Sequence, residues 1–219
     1  MNSARVSHGF ILMVLIALIL SCRGELKDQD GNILSTVKIG NQEWMAENLD
    51  VGHFRNGDTI PEVKTPEDWI RLGSEGKPAF RTDEDNPENN RKYGKLYNWY
   101  AVNDPRGLAP EGWHVASDEE WKQLTEYLGG EVATALYIRV TGYNEEGNVT
   151  SKSGFSGLPA GSCGGDGKFY GTGTNGYWWS ATTFSPTTAN VFQLNYLHCN
   201  TYMKDYYKAA GLSVRCIKD

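Results

Sequence analysis

Ser117-Asp-Glu-Glu-Trp-Lys-Gln-Leu-Thr-Glu-Tyr-Leu-Gly-Gly130 carries the clearest periodic signal of the chain. Ser117 followed three residues later by Glu120 is a capping box, Trp121, Leu124 and Leu128 recur at helical spacing, and Gly129-Gly130 ends the run. A second helix is predicted where Thr65 precedes Pro66, with Glu67 and Asp68 in the first turn. Glu131 to Val140 predicts a third, short one. The remainder reads as short strands broken by Gly, Asn and Asp. Ile33 to Ile39 alternates and, through Gly40-Asn41, predicts a hairpin into Gln42 to Leu49. Lys95 to Val102, Trp113 to Ala116, Phe155 to Leu158, Tyr177 to Thr182, Val191 to Tyr196 and Leu212 to Ile217 are further strand candidates. Two or three helices among six to eight short, mostly antiparallel strands predict an α+β architecture.

The 219 residues hold 21 basic and 27 acidic side chains, a formal charge of −6, with no Lys/Arg-rich run. That excludes the phosphate-binding surface of a nucleic-acid protein, and the length suffices for one core without metal or disulfide staples. Residues 1–21 predict a signal peptide. Arg5 is the only charge before the apolar run Phe10 to Leu20, which is too short for a membrane span of about 20 residues. Ile19-Leu20-Ser21-Cys22 resembles the bacterial lipobox, in which the cysteine becomes the lipidated first residue of the mature protein; an ordinary secretory signal with a chance cysteine is the alternative. Residues 22–28 then form a lipidated tether and 29–219 a single domain. The lipid bilayer is a predicted partner through Cys22, and the predicted location is the bacterial cell envelope, the outer membrane in particular, on its periplasmic or its outer face. Cleavage before Cys22 removes one basic residue and no acid, so the mature chain is one unit more acidic than the full sequence.

Seven stretches carry a resemblance: Val37-Lys-Ile-Gly-Asn-Gln-Glu-Trp-Met-Ala-Glu-Asn-Leu49 after Gly31-Asn32, Arg55-Asn-Gly-Asp58, Tyr93-Gly-Lys-Leu-Tyr-Asn-Trp-Tyr-Ala-Val102, Pro110-Glu-Gly-Trp-His-Val115, Gly154-Phe-Ser-Gly-Leu-Pro159, Gly176-Tyr-Trp-Trp-Ser-Ala181 and Gly211-Leu-Ser-Val-Arg-Cys216. In that order they resemble the successive signatures of the Fibrobacter succinogenes major paralogous domain family, across nearly the whole mature chain. The resemblance implies a secreted protein or lipoprotein without an assigned activity. It also implies a fold similar to C-type-lectin-like and formylglycine-generating-enzyme-like domains, a compact sheet and two helices carrying long irregular loops. It further implies a cysteine just before Pro110, paired with Cys216; Ala109 stands there instead.

Cys163, Cys199 and Cys216 remain in the domain. In an oxidising compartment the favoured bridge joins Cys163 to Cys199, closing a loop of about 37 residues and contributing up to ~4 kcal/mol. Cys216 would then be a buried thiol; a Cys163–Cys216 bridge, or none, stays open. No serine-nucleophile elbow, zincin motif or phosphate loop is present. His114, between Trp113 and Val115, reads as a hydrogen-bonded core histidine. His198 beside Cys199 is the place to look for an enzyme site, although neighbouring strand residues point to opposite faces. No cofactor is expected. Asp28-Gln-Asp-Gly-Asn32 reads as a tight turn, and Asp83, Asp85 and Glu88, in an acid- and amide-rich run, read as solvated loop with calcium as the lesser alternative.

Aromatic residues concentrate in the last third of the chain, and aromatic faces stack on pyranose rings or anchor protein contacts. Trp179 is assigned to the core, Trp178 is left open, and Tyr202, Tyr206 and Tyr207, among Lys204, Asp205 and Lys208, read as exposed. Trp178, Tyr202, Tyr206 and Tyr207 are thus the candidate ligand-binding residues. The expected function is a non-enzymatic, lectin-like binding or adhesive lipoprotein, with a glycan or a cell-envelope protein as partner. The alternatives are an extracytoplasmic enzyme with a site at His198 and Cys199, or a purely structural envelope protein.

Overall fold

Gly40 and Asn41 turn the chain between strands β1 (Thr36–Ile39) and β2 (Gln42–Met45), which pair with Val37 opposite Trp44. Gly40 sits at φ 62°, a left-handed conformation that glycine adopts without a Cβ clash. In chain order there follow α1 (Pro66–Ser74), β3 (Phe80–Arg81), α2 (Pro87–Tyr93), β4 (Leu96–Asn98), α3 (Trp99–Val102), β5 (Trp113–Val115), α4 (Asp118–Tyr127) and α5 (Glu131–Ile138). The remaining strands are β6 (Gly142–Tyr143), β7 (Val149–Thr150), β8 (Ser162–Cys163), β9 (Phe169–Tyr170), β10 (Asn175–Thr183), β11 (Thr188–Asn195), β12 (Asn200–Tyr207), β13 (Gly211–Leu212) and β14 (Cys216–Lys218). This computed structural model describes residues 26–83, 86–143 and 149–219. The leader, Cys22 and Asp85 therefore lie outside the described residues.

The architecture is mixed α and β, with mostly antiparallel strands. Its sheets run β1-β2-β14-β5, β3-β4-β13-β8-β9, β10-β11-β12 and β6-β7. The last strands enter two of them: Gly211 pairs with both Asn98 and Cys163, and Ile217 with both Trp44 and His114. Between these pairings Ser213 bridges Trp178 of β10. Residues 211–218 thus stitch three sheets together.

The helices form where their caps are. Thr65 accepts from the Asp68 amide at the start of α1, and Ser117 and Glu120 complete the capping box of α4, burying Trp121 and Leu124. Five helices are present among the described residues, where the sequence predicts two or three. Lys95 to Val102 is not one strand, because the Asn98 side chain accepts from the Ala101 amide and caps α3 after only three strand residues. The acid- and amide-rich run closes into α2 behind Pro87. Phe155 to Leu158 is irregular, with Ser156 at φ 53°, and the Leu212 to Ile217 strand is split in two.

The irregular backbone at 155–156 has a cause in Arg215. Arg215 is fully buried. Its Nη1 donates to the carbonyls of Met45 (2.9 Å) and Phe155 (2.6 Å), its Nη2 to Asn48 Oδ1 (2.9 Å), and its guanidinium lies 4.2 Å from the Phe155 ring centroid. The chain bends at 155–156, where the Phe155 and Ser156 carbonyls face this cation, while the carbonyls of 213–215 accept from the Trp179, Leu49 and Ala116 amides. Burial lowers the guanidinium pKa to about 9, which still leaves it charged at neutral pH. Asn48 completes the arrangement: Oδ1 also accepts from Trp178 Nε1 (2.8 Å), while Nδ2 donates to the Tyr93 carbonyl (3.0 Å) and Ser213 Oγ (3.2 Å).

Trp178 and Trp179 point to opposite faces of β10, as the strand period requires, but both are buried, because each face has its own layer. Trp179 packs with Met45, Tyr97, Trp99 and Trp113. Trp178 packs with Trp44, Trp121, Phe155 and Phe192, where Trp121 stacks on Phe192 at 4.4 Å between ring centroids. All seven tryptophans of the chain belong to the core.

At roughly 1–3 kcal/mol for each buried donor left unpaired, Asn48→Ala, which orphans Trp178 Nε1 and leaves Arg215 Nη2 only the long 3.5 Å contact to the Ser156 carbonyl, is expected to lower the unfolding free energy by about 3 kcal/mol in urea titration. A loss below about 1 kcal/mol would contradict the role given to this amide.

Candidate functional site

β12 is the edge strand of its sheet and was not among the strand candidates. Its alternation sets Tyr202, Lys204 and Tyr206 on one face, opposite Gln193, Val191 and Ala189 of β11. Tyr177 of β10 stands opposite Gln193 on the same face. Trp179, Ala189 and Val191 are buried in the core, which runs out toward β12, where the side chains are only half buried. Tyr177 and Tyr206 approach to 6.0 Å between ring centroids. The Lys204 ammonium lies 4.8 Å from the Tyr177 centroid and 5.1 Å from that of Tyr206.

The opposite wall is the loop between β8 and β9. The Gly164 amide donates to the Lys168 carbonyl, Trp69 Nε1 donates to the Gly164 carbonyl (3.0 Å), and Tyr170 Oη donates to Asp166 Oδ2 (2.7 Å). A Cβ on Gly164 would lie 2.6 Å from Asp166 Oδ1 and 2.9 Å from the Tyr170 ring, so a larger residue there would push these two side chains aside. Between loop and strand runs a groove of about 430 Å³, lined among others by Gly164, Gly165, Lys204, Asp205, Tyr206 and Tyr207. Burial, with smaller contributions from Tyr206 and Tyr202, pushes the Tyr177 phenol up to about 12, so it stays neutral. Burial lowers the Lys204 ammonium pKa, against the opposing pull of Asp205.

Of the four aromatic candidates, Tyr206 and Tyr207 line the groove, and Tyr207 is 70% exposed. Tyr202 is half-buried on the same strand face as Tyr206. Trp178 is corrected: it is 0% exposed and its indole N–H is used by Asn48, so no ligand reaches it.

Cys163 and Cys199 are not joined; all three domain thiols are free. Cys163 sits in the core beneath the groove loop, whereas Cys199 sits in the β11–β12 turn at φ 54°, where Arg139 Nη1 donates to its sulfur (3.0 Å). Burial pushes Cys163 and Cys216 up to about 12, so both are poor nucleophiles. Ala109 lies in the same core cluster as Cys216. His198 is exposed in that turn, and among the described residues no hydrogen bond joins it to Cys199. Asp28 forms the tight turn, Oδ1 accepting from the Asp30 and Asn32 amides. Asp83 accepts from Asn89 Nδ2 (2.8 Å), and among the described residues no group of three metal-ligating side chains occurs.

His114 is corrected as well. The buried side chains of β5 are Trp113 and Val115, so His114 faces outward, where Nε2 meets Glu120 Oε1 (2.6 Å) and Nδ1 meets Asp219 Oδ1 (2.7 Å). Ionised carboxylates only accept, so both ring nitrogens donate and the imidazole is protonated. Burial opposes that charge, but the two carboxylates outweigh it and the His114 pKa is raised. The pair ties the N-terminus of α4 to the end of the chain.

The fold defines a mixed α and β domain with mostly antiparallel strands. The chain belongs to the Fibrobacter succinogenes major domain family, whose profile matches residues 37–218. No curated protein and no solved structure matches it.

Because the folded His114 pKa is raised, its contribution is complete below the ordinary imidazole value of about 6.5 and is lost as pH rises through the folded value. The melting temperature is expected to fall between about pH 6 and pH 9 in the parent and to fall less in His114→Gln; equal slopes in thermal melts would contradict the pairing. Alkylation of the native, unreduced protein is expected to label Cys199 well before Cys163 and Cys216, followed by mass spectrometry. A mass two units low, with two thiols protected even after unfolding, would restore the disulfide.

Proposed function

We propose that the protein is an extracytoplasmic lipoprotein, held in the bacterial envelope through Cys22, whose C-type-lectin-like domain binds a saccharide without catalysing a reaction. The observation that carries this reading is the groove between β12 and the Gly164–Lys168 loop, with Tyr206 and Tyr207 along one side. Tyrosine rings present a broad apolar face with a polar tip, which suits a pyranose whose two faces differ in polarity. The opposite wall is glycine backbone, which lets a ring approach closely. Supporting the anchor are the short apolar run ending at Leu20 and the Ser21-Cys22 pair behind it. Each buried CH₂ of an acyl chain adds about 0.8 kcal/mol of membrane affinity, so a multiply acylated cysteine suffices without any spanning helix.

The test is a glycan array followed by calorimetry on the detergent-solubilised full chain. A stacked aromatic contributes about 0.5–1.5 kcal/mol beyond its area, so Tyr206→Ala is expected to weaken binding by about tenfold, while the loss of a ring packed against the core lowers the melting temperature and leaves the domain folded at the assay temperature. Trp178→Ala is expected to unfold the domain rather than to change specificity. Absence of any saccharide ligand, or full binding by Tyr206→Ala, would overturn the reading. Labelled palmitate is expected to enter the parent chain and not Cys22→Ser; equal labelling would remove the anchor.

A further inference from the structure

Among the described residues Lys92, Lys95, Lys152 and Lys208 each rest on one aromatic ring, and Lys204 rests on two. Lys77, Lys95, Lys122 and Lys218 pair with carboxylates, and Lys208 donates to the Ser185 and Pro186 carbonyls while resting 4.4 Å from the Trp99 centroid. The Lys204 ammonium instead lies against two tyrosine faces, and among the described residues no carboxylate or carbonyl accepts from it. Asp205, next in sequence, belongs to the opposite face of the strand. A cation that has already lost part of its water, on a neutral aromatic bed, gains more from an incoming anion than a solvated surface lysine does.

The positive charge does not stop there. On the other side of the same loop a second groove, of about 470 Å³, is lined by Lys64, Arg81, Asp83, Gly167, Lys168 and Phe169, among others. Lys204 on one side of the loop and Lys64, Arg81 and Lys168 on the other stand beside Asp83, Asp166 and Asp205, with the Arg81 guanidinium already donating to the Gly167 and Lys64 carbonyls, in a chain whose overall charge is −6. A lysine held between tyrosine rings in a groove fits an anion carried on a sugar ring. The two grooves meet at the Gly164–Lys168 loop, so a chain of such rings can run from one toward the other.

We propose that the ligand is an acidic polysaccharide whose sugars carry carboxylates: one uronate carboxylate pairs with Lys204 while its ring lies on Tyr206, and the chain continues over the glycine loop toward Lys168. This rests on the reading of the groove as a saccharide site.

The experiment is a titration of the detergent-solubilised full chain with oligogalacturonate, with the same oligomer after reduction of its carboxyl groups, and with poly-glutamate. Oligogalacturonate is expected to bind, with affinity falling as salt is added, and the carboxyl-reduced oligomer to bind at least about tenfold more weakly. Lys204→Met is expected to lose a similar factor for oligogalacturonate only, Lys204→Arg to retain most of the affinity, and Lys168→Met to lose less. Melting temperatures of the variants, expected to match the parent, separate lost binding from lost folding. Equal binding of the acidic and reduced oligomers, or an undiminished Lys204→Met, would overturn the carboxylate pairing while leaving the saccharide reading in place. Poly-glutamate binding as tightly as oligogalacturonate would overturn the sugar in favour of an acidic peptide. Failure of every saccharide would overturn both readings.

Discussion

A single side-chain amide, that of Asn48, holds the structure to one arrangement. It makes four hydrogen bonds, to Arg215, Trp178, Tyr93 and Ser213, which use both of its donors and both acceptor positions of its oxygen. Through them β2, the end of α2, β10 and the C-terminal strands are fixed against one another. Arg215 makes the constraint severe: it is a buried cation with carbonyl oxygens and an aromatic face around it in place of a carboxylate partner. Such a charge is tolerated only where every carbonyl is in position, because an uncompensated buried ion costs several kcal/mol. The irregular backbone at Phe155 and Ser156 exists to aim two of those carbonyls.

This explains why the family signatures look as they do. Asn48, Phe155, Ser156, Trp178, Ser213 and Arg215 come from four of the seven stretches that carry the resemblance, and all of them converge on this amide and guanidinium. The groove draws on different parts of the chain: Gly164, Gly165, Lys204, Tyr206 and Tyr207 lie between or outside those stretches. Family membership therefore speaks for the scaffold, and the proposed saccharide site draws on residues outside the stretches that carry the resemblance. The division is physical too, since the tryptophans are consumed by the three core clusters and tyrosines remain to face the groove.

Local signals were legible in the sequence. The caps at Thr65 and Ser117 depend on residues within one helical turn, and both helices start where those caps place them. The Gly40-Asn41 hairpin was equally local. Trp178 was not legible, because the strand period separates it from Trp179 but cannot say that β10 is covered on both faces. α3 hid behind Trp-Tyr-Ala-Val, whose strand propensity is overridden by the Asn98 cap. β12 hid because Met203-Lys204-Asp205 alternates in neither polarity nor size, and its face is defined only by pairing with β11. His114 could have been placed: with Trp113 and Val115 inward, the alternation already sends it outward. Of the site, Tyr206 and Tyr207 were found from composition, whereas Lys204 and the glycine wall needed the sheet register and the loop.

The central claim is that a scaffold locked at Asn48 and Arg215 presents one binding surface, at the edge of β12. Backbone amide chemical shifts followed by NMR during titration with oligogalacturonate test it most directly. The account expects the perturbed amides to be confined to residues 164–170, 188 and 202–210, with those around Asn48 and Arg215 unmoved. Perturbations centred elsewhere, such as the Asp28–Asp50 face, or none at saturating ligand, would contradict it.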